Sequence, residues 1–252
     1  MRFDIITLFP ELFAPFLASG VTRRAYASGQ VDVRLWNPRD HADGNYRRVD
    51  DRPFGGGPGM VMMAEPLARC LAAIRAERPD EQAPVVLFSP IGEVLRHAAV
   101  ERWAASAGAI LLCGRYEGVD QRFINAHVDL QISLGDFVLS GGEIAALALL
   151  DAVARLQPGV LNDEGSHQAD SFNPAVDGLL DCPHYTRPES WGGQDVPAAL
   201  LSGHHAQIAQ WRRAQSLRTT AAHRPDLLDA ARQRGQLSRH DEQVLADLPK
   251  TL

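Results

Sequence analysis

Lysine is almost absent from this sequence, since Lys250 is the single lysine among 25 basic residues. Arginine suits bidentate contacts with phosphate and stacking on flat rings, but a net charge of −6 counts mildly against a nucleic-acid partner. The charge is uneven, because no acidic residue lies between Asp195 and Asp226. That segment is either a solvated helix face or a phosphate-binding surface, and its arginines are Arg212, Arg213, Arg218 and Arg224.

Cysteine is also scarce, and the three present, Cys70, Cys113 and Cys182, are widely spaced. They form neither a disulfide framework nor a zinc motif, which predicts a reducing, cytoplasmic location. No apolar run approaches the roughly 18 residues of a membrane span, and the N-terminus lacks a signal-peptide pattern. We therefore expect no membrane partner and no metal site built by the protein. A divalent ion carried by a bound ligand would leave no such cluster, so the sequence leaves that ion open.

Short apolar runs alternate with helical patterns through the first 160 residues. This alternation predicts an α/β fold with a mostly parallel sheet and helices on both faces. The predicted strands cover 3–9, 31–35, 85–88, 109–113 and 128–134, and the predicted helices cover 10–28, 65–78, 93–105 and 143–156. We expect a cofactor-binding domain over 1–160, a flexible linker over 161–173 and a small helical domain without strands over 174–252, with helices near 198–216 and 225–234.

Three predicted strand ends carry segments suited to ligand binding: 87–90, 114–118 and 135–142. In open α/β sheets, ligands lie beyond the carboxyl ends of the strands, where glycine lets the backbone approach closely. Glycine at a strand end is also common in ordinary turns, but three such segments favour one shared adenosine-type site. The sequence has no Gly-x-Gly-x-x-Gly fingerprint and no Gly-Lys-Ser/Thr loop, so a dinucleotide oxidoreductase and an ATPase fit poorly.

A denser glycine cluster over 52–60 is either a surface loop or a backbone surface for a phosphate or flat base. Two further residues look structural when taken alone. Arg155 ends a predicted helix one turn after Asp151, as expected for helix-end electrostatics and an ion pair. Asp170 is a solvated acid in the polar linker.

Five ordered segments (51–60, 113–118, 135–143, 170–172 and 180–188) resemble those of the bacterial tRNA (guanine-N1)-methyltransferases of the SPOUT superfamily. The resemblance covers essentially the whole chain. It implies S-adenosyl-L-methionine as methyl donor and guanosine 37 of tRNA, beside the anticodon, as acceptor. It also implies a homodimer with active sites between subunits and a deep trefoil knot around the cofactor loops, although chain connections are almost always unknotted.

The resemblance also implies roles for individual residues of this chain. Asp170 would be the catalytic base and Arg155 the residue that stabilises charge on the guanine. Pro58 and Gly59 would line the guanine pocket, Ser166 would order the linker, and Arg212 and Arg213 would hold the anticodon stem. The cofactor would lie against Leu87, Ser89, Pro90, Gly114, Tyr116, Glu117, Gly118, Leu134, Gly135, Asp136, Phe137, Val138, Leu139, Gly141 and Gly142.

The chemistry of guanine explains the two catalytic roles. N1 of neutral guanine carries a proton, so a base must remove it, and negative charge then spreads toward O6. A carboxylate in a partly dry pocket is a stronger base than one in water, and a guanidinium stabilises the developing charge. An acid on a mobile linker is suited to assembling the site only when tRNA docks.

The chain departs from the family pattern at Phe54, Leu87 and Phe137, where relatives carry tyrosine, so any hydrogen bond from those hydroxyls is lost. Two alternatives stay open. One is a related SPOUT methyltransferase that acts on another RNA nucleoside, and segments 170–172 and 180–188 count against it. The other is a tRNA-binding protein without catalytic activity, and the presence of Asp170 and Arg155 counts against that.

Overall fold

The computed structural model describes residues 1–78, 82–162, 165 and 167–248. The chain divides into two compact units, Met1–Asn162 and Asp163–Leu252. The first contains β1 (Arg2–Ile6), β2 (Asp32–Trp36), β3 (Asp50–Asp51), β4 (Val61–Met62), β5 (Val85–Val94), β6 (Gly108–Leu112) and β7 (Leu130–Ser133). Five of these strands form one sheet in the order β2-β1-β6-β5-β7, and every neighbouring pair is parallel. The predicted α/β class with a parallel sheet is confirmed.

Helices cover both faces of this sheet. One face packs against α1 (Phe13–Leu17), α2 (Arg23–Ala27), α4 (His97–Ala104) and α6 (Glu143–Ala154), and the other against α3 (Ala64–Glu77) and α5 (Gln121–His127). The central strand β6 is buried along its whole length. It sends Ile110 into one core and Leu111 into the other, because successive strand side chains point to opposite faces. A strand buried on both faces reads as a continuous apolar run.

Two predicted helices of the first unit were wrong in extent. The segment 10–28 is a short 3₁₀ helix followed by α1 and α2, with a break at Gly20, whose φ of 69° is the left-handed conformation that glycine tolerates. The segment 93–105 begins as strand, because β5 continues beyond Ser89-Pro90 to Val94. Its pairing with β7 shifts register between Phe88 and Glu93. Pro90 lies in that irregularity, where a missing N–H does least harm to the ladder.

The second unit is mainly helical. It contains α7 (Ala198–Leu201), α8 (His205–His223), α9 (Pro225–Gln233) and α10 (Arg239–Ala246). The predicted helix over 198–216 is divided at Gly203, where φ is 68°. A two-residue ribbon, β8 (Ser190–Trp191) with β9 (Gln194–Asp195), lies where the sequence predicted no strand. A small apolar core unites the unit, and its buried members are Leu179, Leu217, Leu228 and Ala231.

Candidate functional site

A cavity of about 390 Å³ lies in the first unit beyond β6 and β7 and beside the irregular part of β5. This volume falls within the roughly 300–1,000 Å³ typical of ligand pockets. Every residue of the predicted cofactor set lines it except Asp136, which is exposed in the same turn as its neighbours. The lining residues of that set are Leu87, Ser89, Pro90, Gly114, Tyr116, Glu117, Gly118, Leu134, Gly135, Phe137, Val138, Leu139, Gly141 and Gly142.

Backbone contacts hold two walls of this cavity together. The N–H of Gly142 donates to the carbonyl of Gly114 at 3.0 Å, and Arg115 and Gly141 form an antiparallel bridge. A Cβ on Gly142 would lie 2.7 Å from the Cα of Cys113. The glycine at position 142 is therefore required by the close approach of two chain segments.

An ion pair joins the same two loops through their side chains. The Nε of Arg115 lies 2.9 Å from the Oε2 of Glu143, whose side chain has no exposed area. Thr7 donates its hydroxyl to the other carboxylate oxygen of Glu143 at 2.9 Å. The Arg115 guanidinium also donates to the carbonyl of Ser140 at 3.2 Å. Buried carboxylates need such partners, so this network fixes the position of both loops.

The glycine-rich segment 52–60 packs against a cavity loop. The N–H of Glu117 donates to the carbonyl of Met60 at 2.9 Å. Gly59 has a φ of 78°, and a Cβ there would collide with the Glu117 side chain. Pro58 and Gly59 are both exposed, as expected for residues that receive a ligand from solvent. Phe54 is 99% exposed.

Tyr116 lines the cavity. Its backbone is left-handed, with a φ of 60°, and its hydroxyl lies 3.4 Å from the guanidinium of Arg39. Burial raises the pKa of Tyr116, and the Asp50 carboxylate raises it further, while Arg39 opposes both. The phenol therefore stays protonated at neutral pH, and its hydroxyl hydrogen-bonds to the Asp50 carboxylate.

The two predicted catalytic residues belong to different units. Arg155 follows α6 and is half-buried, and its N–H donates to the carbonyl of Asp151 at 3.1 Å. Asp170 is half-buried in the second unit, within a turn held by several hydrogen bonds. Phe172 donates its N–H to the carbonyl of Leu179 at 2.9 Å, and Asn173 donates its side chain to the carbonyl of His167 at 3.0 Å. Ser166 lies outside the described residues.

Arg213, which is predicted to contact RNA, forms ion pairs within its own unit. Its guanidinium lies 2.8 Å from Asp177 and 3.0 Å from Asp241, both in its own unit. Burial alone raises the pKa of Asp241, but hydrogen bonds from Arg213 and Ser238 outweigh it and lower that pKa to about 2. The ion pairs of Arg213 thus join separate segments of the second unit. Arg212, its neighbour, is exposed and lacks a carboxylate partner in the part of the chain that the structure describes.

Some kinds of site are not found among the described residues. No group of three or more His, Cys, Asp or Glu side chains there is placed to hold a metal ion. Cys70, Cys113 and Cys182 are buried, and burial raises the pKa of each thiol. None of the described helices is both long and apolar enough to cross a membrane.

Sequence comparison extends across both units. The family model described as tRNA (Guanine-1)-methyltransferase TrmD matches residues 1–230. The chain is 78% identical over 251 residues to the tRNA (guanine-N(1)-)-methyltransferase of Paracidovorax citrulli, with 98% of each chain covered. It is 73% identical to the enzyme of that name from Polaromonas sp., over 98% of this chain and 97% of that one. It is 58% identical to the one from Bordetella pertussis, over 98% of each.

Proposed function

Because the chain belongs to the tRNA (guanine-1)-methyltransferase family, we propose that it transfers a methyl group from S-adenosyl-L-methionine to N1 of guanosine 37 in tRNA. The observation that carries the proposal is the identity of 78% to a curated relative across 98% of both chains. The cavity beyond the carboxyl edge of the sheet supports it, because this is where parallel α/β proteins bind nucleotide-type ligands.

The residues that line the cavity fit S-adenosyl-L-methionine. Glycine backbone at Gly114, Gly118 and Gly135 leaves room for close approach of a ligand, and the apolar walls at Leu87 and Leu139 suit the flat adenine ring. When bound, the sulfonium supplies an electrophilic methyl group. The part of this chain is to hold that group still and to keep water from it.

Asp170 and Arg155 then act on the guanine. Asp170 accepts the proton from N1, which frees the N1 lone pair to form the new bond to the methyl carbon while the bond from that carbon to sulfur breaks and its electron pair stays on sulfur. The negative charge that remains on the purine is delocalised toward O6, where the guanidinium of Arg155 stabilises it. Pro58 and Gly59 lie on the segment that packs against Glu117 of the cavity, which supports a guanine position beside the cofactor.

We further propose a homodimer with active sites between subunits. Val138 on a cavity loop is 87% exposed, and Ile144 at the start of α6 is 55% exposed. A second copy of the chain would cover these apolar side chains. We also propose the trefoil knot that the resemblance implies, and the contact of segment 113–118 with segment 134–142 supports it. The cytoplasmic location follows from the proposed tRNA substrate.

The test is a methyl-transfer assay with labelled S-adenosyl-L-methionine and unmodified tRNA transcripts carrying G or A at position 37. Purified protein should label only the G37 transcript, and mapping should place the methyl group on N1 of that base. Absence of transfer to either transcript would contradict the proposal and favour a binding protein without catalytic activity. Label on another nucleoside would favour a different RNA methyltransferase. Parallel reactions with Mg²⁺ and with a chelator decide whether a divalent ion takes part.

A further inference from the structure

A groove of about 350 Å³ crosses the second unit between the segment 183–189 and helix α8. Two aromatic rings meet in it, Tyr185 from the segment and Trp211 from the helix. Their centroids are 6.0 Å apart, and their planes meet at 65°. Trp211 is partly buried, whereas Tyr185 is 50% exposed. Half of the tyrosine surface is therefore open to a ligand.

The apolar core of the unit does not need this aromatic pair. That core consists of Leu179, Leu217, Leu228 and Ala231 with their neighbours, and neither ring belongs to it. The groove is also lined by aliphatic side chains from outside that core, Val196, Leu200 and Ile208. A half-exposed aromatic ring beside aliphatic side chains leaves apolar surface in water, which is unfavourable. This surface indicates a flat, partly apolar occupant.

Two arginines bring positive charge to the groove. Arg187 and Arg212 both line it, and neither has an ion-pair partner among the residues described. Most nearby arginines differ, since Arg213, Arg224 and Arg232 are each paired with a carboxylate of the unit. The acid that lines the groove, Glu189, neutralises part of this charge at most. The groove thus offers a stacking face flanked by cations.

We propose that this groove binds one unpaired nucleotide of RNA, with its base stacked on Tyr185 and its phosphates held by Arg187 and Arg212. Aromatic side chains bind bases of single-stranded RNA in this way, and arginine contributes both charge and stacking. A base inside a duplex is already stacked on both faces and cannot use the tyrosine ring. The inference rests on the proposed function, which supplies tRNA as the RNA, and it adds that the second unit binds a loop nucleotide as well as the stem.

The first experiment measures the affinity of the full-length protein for a hairpin RNA with the anticodon stem and loop and a guanine after the anticodon. Tyr185→Leu removes the stacking face, and Tyr185→Phe keeps it as the matched control. Loss of one base–aromatic stack should raise Kd roughly 5- to 150-fold for the leucine variant. The phenylalanine variant should bind like the unmodified protein. Arg212→Gln should weaken binding to any hairpin. It should also make the negative slope of log K against log salt less steep by about 1.

The second experiment distinguishes stacking from a loss of structure. Hairpins with an abasic site at each loop position in turn are bound to the unmodified protein and to Tyr185→Leu. At one position, the abasic hairpin should bind weakly to the unmodified protein, and Tyr185→Leu should cause no further loss there. Equal losses with every hairpin, or unchanged binding by Tyr185→Leu, would overturn the inference. Binding is measured directly and separately from methyl transfer. If the binding predictions fail while methyl transfer to G37 is intact, the proposed function stands and only this inference is refuted. If the binding predictions hold and no methyl transfer is found, only the proposed function is refuted.

Discussion

The guanidinium of Arg115 and the carboxylate of Glu143 form a 2.9 Å ion pair at the junction of the two loops that wall the candidate cofactor cavity. The Glu143 side chain has no contact with solvent, so its charge depends on Arg115 and on the hydroxyl of Thr7. A charge buried in this way is costly when its partner is removed. The shape of the cavity and the stability of the first unit are therefore linked.

Arg115→Leu should lower the free energy of unfolding by about 3–5 kcal/mol, because it leaves the Glu143 carboxylate buried and unpaired. Urea denaturation followed by circular dichroism measures the change. The double variant Arg115→Leu/Glu143→Leu is the control, and it should be more stable than Arg115→Leu alone. A double variant that is less stable than both single variants would show that the ion pair is not what holds the loops.

Gly142→Ala should weaken binding of S-adenosyl-L-methionine while preserving the fold of the second unit. The added Cβ would lie 2.7 Å from the Cα of Cys113, so the two loops must separate. The φ of Gly142 is −78°, which alanine adopts freely, so the effect is steric and not conformational. Isothermal titration calorimetry measures the affinity.

Gly159→Ala is the matched control for this change. Gly159 has a φ of 71° and no atom within 4 Å of an added Cβ. Alanine there should cost some stability through backbone strain and leave cofactor affinity unchanged. Equal affinity in both alanine variants would show that the contact of the two loops does not shape the cofactor site.

Asp170→Asn should lower the single-turnover rate of methyl transfer by about 10²- to 10⁴-fold, because an amide cannot accept the N1 proton. Its affinity for S-adenosyl-L-methionine should not change. Asp195→Asn, at an exposed carboxylate of β9, is the control and should retain full activity. If Asp170→Asn also retains full activity, another group is the base.

The ion pair of Arg213 with Asp241 should stabilise the second unit near neutral pH, and this stabilisation should be lost in acid. The pKa of Asp241 lies near 2 in the folded protein, against 3.8 for an unperturbed aspartate. A carboxyl whose pKa is lowered by folding contributes stability that is complete above about pH 4 and is lost as the pH falls toward 2. Arg213→Gln should therefore destabilise the protein at pH 6 and do so less at pH 3.

Urea denaturation at both pH values measures this difference, and Arg218→Gln serves as a control at an exposed arginine of the same helix. Arg213→Gln and the unmodified protein should differ less in free energy of unfolding at pH 3 than at pH 6. An equal difference at both pH values would show that Asp241 is not responsible for the effect. The same variants report on RNA binding. We expect Arg213→Gln to impair it through loss of structure, and Arg212→Gln to impair it without a change in stability.

The parallel sheet and the position of the cavity were predictable because both follow from local patterns. A run such as 109–113 is apolar throughout, as a strand buried on two faces must be. Once the strands are parallel, their carboxyl ends share one edge, so segments 114–118 and 135–142 had to lie near one another. Segment 87–90 joins them from the irregular part of β5 and not from its carboxyl end, where the sequence had placed it. The helix break at Gly20 was missed, because the apolar pattern continues through a residue whose left-handed φ only the fold reveals.

The sequence by itself determined the class of the fold, the edge of the sheet that carries the cavity and, through its motifs, the family. Tertiary structure alone decided which charges meet, namely Arg115 with Glu143 and Arg213 with Asp177 and Asp241. It also decided that the rings of Tyr185 and Trp211 meet in one groove. The physical reason is one of range. Periodicity and turn chemistry act over a few neighbouring residues, whereas an ion pair or a ring contact between distant segments depends on how the packed elements bring them together.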